Sequence, residues 1–185
     1  MRRLKGSRIR ELLIALSATA SLALMLSCST TPFTDYDRAK SLSDAGQYQQ
    51  AIVVYSRSIN LDPYNTDAYL GRGFAYENLG EYEKALSDYS QVITLKPKDP
   101  QAYFVRGLLY DLLGKTDQAI QGYSTAISLK PNNADAYYYR GVDWEKLGKT
   151  DSARADYRNA VMYGRADAEA KLKALGGSTA TGGTK

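Results

Sequence analysis

The 185-residue chain is 44% hydrophobic and 24% charged, with no histidine and a single cysteine, Cys28. That composition excludes His-dependent catalytic triads, Cys/His zinc sites and an internal disulfide. The net charge of +4 sits wholly in residues 1–27, where Arg2, Arg3, Lys5, Arg8 and Arg10 outnumber the lone Glu11; the remainder is balanced and offers no electrostatic footprint for nucleic acid.

The first ten residues, MRRLKGSRIR, are cationic, and positions 12–26 are apolar or small. This is the layout of a secretory leader, and it falls short of the roughly 20 apolar residues of a spanning helix. After Cys28 the chain turns polar (STTPFTDYD) with no cationic stop-transfer flank. The run Met25-Leu26-Ser27-Cys28 resembles the bacterial lipoprotein signal, with a small residue before the cysteine. It departs from that pattern at Met25, where Leu is usual, and at Leu26, where a small residue is usual. The resemblance implies cleavage before Cys28, a diacylglyceryl group on its thiol and a fatty acyl chain, such as palmitate, on the new amine. Two or three such chains hold a protein on a bilayer. Ser29, rather than Asp, implies retention at the outer membrane. The residues alone also allow an ordinary cleaved signal, or an uncleaved anchor that ends in cysteine. Residues 28–34 read as a tether.

From there the chain repeats itself with a period of 34. Glycine recurs at Gly46, Gly80, Gly114 and Gly148, alanine at Ala51, Ala85, Ala119 and Ala153, and tyrosine at Tyr55, Tyr89, Tyr123 and Tyr157. Pro63, Pro97 and Pro131 close the first three units, and an Arg-small pair recurs at Arg38-Ala39, Arg72-Gly73, Arg106-Gly107 and Arg140-Gly141. On both sides of Gly80, apolar and small residues fall at three- and four-residue steps, so each unit reads as two amphipathic helices. The glycine ends the first helix in a left-handed conformation, and the proline stops the second. Gly73 and Ala85 let the pair approach, with Tyr76 and Tyr89 filling the space beside them. A single hairpin cannot bury its apolar face, so neighbours must stack. Most of the sixteen tyrosines recur at core positions and read as packing. The recurrent arginine reads as stacked on tyrosines, Tyr69 and Tyr76 around Arg72.

This spacing resembles the tetratricopeptide repeat in four consecutive copies, about 32–65, 66–99, 100–133 and 134–167. The first copy is weakest, with Asp35 and Leu42 in the two aromatic places, and the fourth has Arg165 for proline. The resemblance implies an all-α superhelical solenoid over residues 35–167. Residues 168–175 read as a capping helix, and 176–185 (GGSTATGGTK) as a flexible tail.

In this family the first helices line a concave surface. Carried over, the fifth positions are Tyr36, Leu70, Phe104 and Tyr138, and the ninth are Lys40, Phe74, Leu108 and Val142. The twelfth are Ser43, Glu77, Asp111 and Glu145, with Asp67 and Asp135 among the second. Fifth and ninth positions share a helix face. The expectation is an apolar groove floor, surplus to folding, with an acidic margin. The basic clamp by which some members hold the tails of heat-shock chaperones is missing: Leu70, Phe74, Gln101, Phe104 and Val105 stand there, and only Lys40 and Lys146 are basic.

The resulting expectation is a non-catalytic scaffold of the bacterial cell envelope. It is lipid-anchored at Cys28, facing the periplasm, and binds a peptide segment of a partner protein in its groove. No metal, cofactor or nucleic acid is expected. The alternatives are a self-associating structural protein, whose own tail or a second copy covers the stripe, and an accessory factor such as a regulator of cell-wall hydrolases. The oligomeric state is left open.

Overall fold

The computed structural model describes residues 32–176; the leader, Cys28, most of the tether and the tail residues 177–185 lie outside the described residues. The described chain forms nine helices: α1 (Pro32–Asp44), α2 (Tyr48–Leu61), α3 (Thr66–Asn78), α4 (Tyr82–Leu95), α5 (Pro100–Leu112), α6 (Thr116–Leu129), α7 (Ala134–Lys146), α8 (Thr150–Met162) and α9 (Ala168–Ala174). None of them is long and apolar enough to cross a membrane.

The turn inside each hairpin is made by the recurrent glycine. Gly46, Gly80, Gly114 and Gly148 have φ between 69° and 75°, a conformation that costs glycine little. At Gly80 the amide donates to the Glu77 carbonyl at 3.0 Å and the next amide, of Glu81, to the Tyr76 carbonyl at 2.9 Å. These two bonds satisfy carbonyls that the helix end leaves open, and the other three turns repeat them. Between hairpins, α3, α5 and α7 begin at Asn65, Asp99 and Asn133, whose side chains accept from the amides of Ala68, Gln101 and Ala136.

The second, third and fourth hairpins each close over a glycine. A Cβ at Gly73 would lie 2.6 Å from the Tyr89 ring, at Gly107 2.8 Å from Tyr123, and at Gly141 2.9 Å from Tyr157. The ring therefore occupies the space that the missing side chain vacates. In the first hairpin Ala39 has a Cβ, and Tyr55 leans instead on Gly71 of the next repeat, where a Cβ would lie 2.3 Å from it. The core runs as a chain of clusters along the stack, each built on the buried alanines and this tyrosine. Consecutive helices pack on each other, and first helices of neighbouring repeats also meet, α1 with α3 and α5 with α7. The first helices thus line the inner side. Helix α9 ends the stack: Ala168 and Leu172 are buried against Tyr138, Val142, Ala153 and Tyr157.

The first repeat departs from the pattern for a reason. Asp35, in the first aromatic place, is buried and receives both Nε (2.6 Å) and Nη2 of Arg57 from α2. Its two helices are clasped by an ion pair where the later repeats place a tyrosine.

Candidate interaction site: the face of the first helices

The predicted stripe divides into two halves of different character. In the first, Tyr36, Leu70 and Phe74 line one cavity of about 270 Å³, together with Lys40, Asp44 and Asp67. Phe74 is 49% exposed and meets the Tyr48 ring edge-on at 6.2 Å, while Tyr36 tilts against Tyr55 at 6.0 Å. Gly71 helps keep this space open, because it adds no side chain beside Leu70 and lets the Tyr55 ring sink toward the backbone. At the wall, Lys40 donates to Asp44 at 2.8 Å. The Tyr36 phenol is pushed up from its ordinary value, first by burial and then by the Asp67 carboxylate. The cavity is an apolar floor with a carboxylate-rich wall.

The second half is closed. Phe104 is 9% exposed and packs between Tyr123 (5.8 Å) and Tyr139 (5.9 Å), which corrects the expectation that this stripe is surplus to folding. The physical reason is the sixth position of the following repeat. After the repeat of Tyr36 it is Gly71, but after the repeat of Phe104 it is Tyr139, and the larger ring roofs the site. Leu108 and Val142 are half-buried within the same run of clusters. Tyr138 lies on Tyr157 at 5.8 Å, and the Arg165 guanidinium covers its ring at 4.1 Å. Arg165 is held in turn by Asp135 and Asp167, so the chain itself occupies this end of the face.

The margin acids are engaged with the core. Tyr89 donates to Glu77 at 2.9 Å and Tyr157 to Glu145 at 2.7 Å; Glu145 also receives Lys171 at 3.1 Å. The Tyr157 bond, with the Lys171 ammonium adding to it, holds the Glu145 carboxyl below its ordinary range. Asp111 is one methylene shorter and pairs with Lys146 instead, which also donates to Asp143 at 2.9 Å. The Tyr123 hydroxyl is consequently buried without a partner, as is one oxygen of Asp143. Burial pushes the Asp143 carboxyl up to about 6, with Lys146 opposing the shift.

Sequence reasoning missed Asp143. Its signal was available: the equivalent positions are Ser41, Ala75 and Leu109, and an aspartate in that series is out of place. It also read the recurrent arginines incompletely. Arg72 does lie over Tyr69 and Tyr76, at 5.6 and 5.9 Å. It also grips Asp88 of α4 with two bonds of 2.8 and 2.7 Å, and Arg140 holds Asp156 in the same way at 2.8 Å each. The 16-residue spacing within a 34-residue repeat was visible in the sequence.

A stack of helical hairpins with an inner face of unequal openness defines the class of helical-repeat scaffolds. Family profiles described as TPR repeat match residues 39–80 and 110–142, and profiles described as tetratricopeptide repeat match 66–99 and 89–121. The chain carries tetratricopeptide repeats, which are protein–protein interaction modules and generally non-catalytic. No curated protein matches it. Among solved structures, one of MamA is 24% identical, covers 91% of this chain and 99% of its own, and superposes with a TM-score of 0.72. YrrB, described as a TPR protein with an unusual peptide-binding site, is 18% identical over 83% of this chain and 80% of its own, at a TM-score of 0.67. The first TPR of Spaghetti (RPAP3), bound to the HSP90 peptide SRMEEVD, is 27% identical over 65% of this chain and 95% of its own, at 0.61.

Proposed function

We propose that this protein is a non-catalytic scaffold of the bacterial cell envelope that holds an extended segment of a partner protein in the cavity between its first two repeats. The observation that carries this reading is the space of about 270 Å³ floored by Tyr36, Leu70 and Phe74, open at Phe74 while the rest of the stripe is closed. An apolar side chain of the partner fills the floor, and a basic neighbour faces Asp67 and Asp44. A stripe sealed along its whole length would have no such vacancy. The similar repeat that is bound to a peptide supports the mode of use. Buried central anchors of this kind are worth about 2 kcal/mol or more each. The double substitution Leu70→Ala with Phe74→Ala is therefore expected to weaken partner capture at least about tenfold, since 1.4 kcal/mol is already that factor. Unchanged capture by a folded double variant contradicts the reading.

The placement in the envelope rests on the leader and Cys28. Lipidation at Cys28 and retention at the outer membrane, facing the periplasm, complete the proposal. The expected outcome for Cys28→Ala is an unprocessed precursor with no acyl label; equal maturation of variant and parent contradicts lipidation. A second reading, self-association, is favoured by Val53, Leu61 and Tyr64, all more than half exposed on and just after α2. A mass that rises with concentration, and reverts with Val53→Ser and Tyr64→Ser, would support it.

A further inference from the structure

The third repeat lacks an ion pair that its neighbours have. In repeats two and four the arginine of the first helix reaches a buried aspartate on the second, Arg72 to Asp88 and Arg140 to Asp156. Both arginines also give Nη1 to a serine of the preceding hairpin, Ser56 at 3.1 Å and Ser124 at 3.0 Å. Arg106 keeps that pose: its Nη1 donates to Ser90 at 3.3 Å, and its guanidinium lies over Tyr103 and Tyr110 at 5.8 and 5.9 Å. The position of the aspartate, however, is Gly122. The edge of Arg106 that should grip a carboxylate is left with Nε buried and unpartnered. In front of it is a cavity of about 190 Å³, lined by Tyr103, Arg106, Tyr110, Gln121, Gly122 and Thr125.

The chain cannot easily fill this space itself. A Cβ at Gly122 would lie 3.0 Å from the Tyr103 carbonyl and 3.1 Å from the Gly107 Cα, so a side chain there requires the backbones of α5 and α6 to give by a few tenths of an ångström. A buried N–H without a partner is costly, and a planar carboxylate matches the free fork with two charge-assisted bonds. Exposed Gln118 and Gln121 leave the cavity accessible from solvent. It lies on another face of α5 from Phe104 and Leu108, and so is independent of the groove.

We propose that this cavity is a binding site for a single carboxylate, which takes the place that Asp88 and Asp156 occupy in the flanking repeats. The carboxylate comes either from an acidic side chain of a bound peptide or from a small free acid, and Arg106 is its anchor.

The test follows the Arg106 Nε–H resonance of the full 15N-labelled protein. It is assigned through bonds from the backbone and checked by its loss in Arg106→Gln. Titration with acetate, at ionic strength held constant with chloride, is expected to move this signal saturably toward those of Arg72 and Arg140, which stay fixed because their carboxylates are already in place. Saturation that the capped peptide Gly-Glu-Gly also produces, and Gly-Gln-Gly does not, assigns the site to acidic side chains. Saturation by acetate alone assigns it to small free carboxylates. A resonance that does not move, or that moves equally with chloride alone, overturns the proposal.

Discussion

The Tyr89 hydroxyl donates to Glu77 across 2.9 Å, so an acid on the margin of the interaction face is also the cap of a core ring. Tyr157 and Glu145 repeat the arrangement at 2.7 Å, whereas the Tyr123 hydroxyl is buried with nothing to bond. Hydrogen bonds to charged groups are worth more than neutral ones, and an unsatisfied buried hydroxyl is a liability. Tyr89→Phe and Tyr157→Phe are therefore expected to cost about 1–2 kcal/mol each. Tyr123→Phe should be neutral or stabilising. Urea denaturation of the three variants checks this, and equal losses in all three contradict it.

Asp143 ties stability to pH. Its carboxyl stands at about 6 in the folded chain, against an ordinary 3.8, because burial disfavours the charge. Between those two values the folded state holds a proton that the unfolded state has released. Stability therefore falls as pH rises from about 4 to about 6, as linkage requires. Lys146 and Asp111 face this carboxyl, the first opposing the shift and the second adding to it. Asp143→Asn removes the contribution. The difference in unfolding free energy between parent and variant should move in the variant's favour across that window and level off above it. A difference independent of pH contradicts the assignment.

Phe74 and Phe104, which occupy ninth and fifth places of adjacent repeats, should answer differently to the same truncation. Phe104→Ala empties a site walled by Tyr123 and Tyr139 and is expected to cost about 3–5 kcal/mol. Phe74→Ala, at a half-exposed ring, should cost less than about 1 kcal/mol. Thermal melts of the two variants decide it; similar losses would mean that the first cavity is as closed as the second.

Gly107→Leu tests the close approach inside the hairpins. Its Cβ alone would fall 2.8 Å from the Tyr123 ring, and overpacking of this kind typically costs about 1–3 kcal/mol. A melting temperature equal to the parent's contradicts the packing of glycine on tyrosine.

The hairpins were legible in the sequence because their marks are local and repeat: Gly80 needs a left-handed turn, and Tyr89 needs the space above Gly73. Those requirements recur every 34 residues, so four copies reinforce one another. The interaction face was legible only in part. Whether the face at Tyr36 or at Phe104 is open depends on the residue six places into the following repeat, Gly71 or Tyr139, which belongs to the contact between repeats rather than to either one. The fates of Glu77 and Asp111 likewise turn on a methylene and on the next repeat: Glu77 reaches the tyrosine below it, whereas the shorter Asp111 pairs with Lys146, whose counterpart beside Glu77 is Leu112. Asp35 shows the same limit: it looked like a weak copy of an aromatic place, and Arg57 on the opposite helix makes it a clasp.

The most direct test of the groove is a photo-crosslinking side chain placed at Phe74, in the cavity, and separately at Val53, 69% exposed on α2, with both variants produced in bacterial cells under their own leader. Illumination is expected to yield a discrete adduct at Phe74 that carries a partner segment with an apolar residue beside a basic one, that is absent at Val53, and that fades when Asp67→Lys reverses the charge of the wall. A folded protein giving no adduct at Phe74, or giving the same adducts at both positions, would contradict the assignment of partner binding to the cavity between the first two repeats.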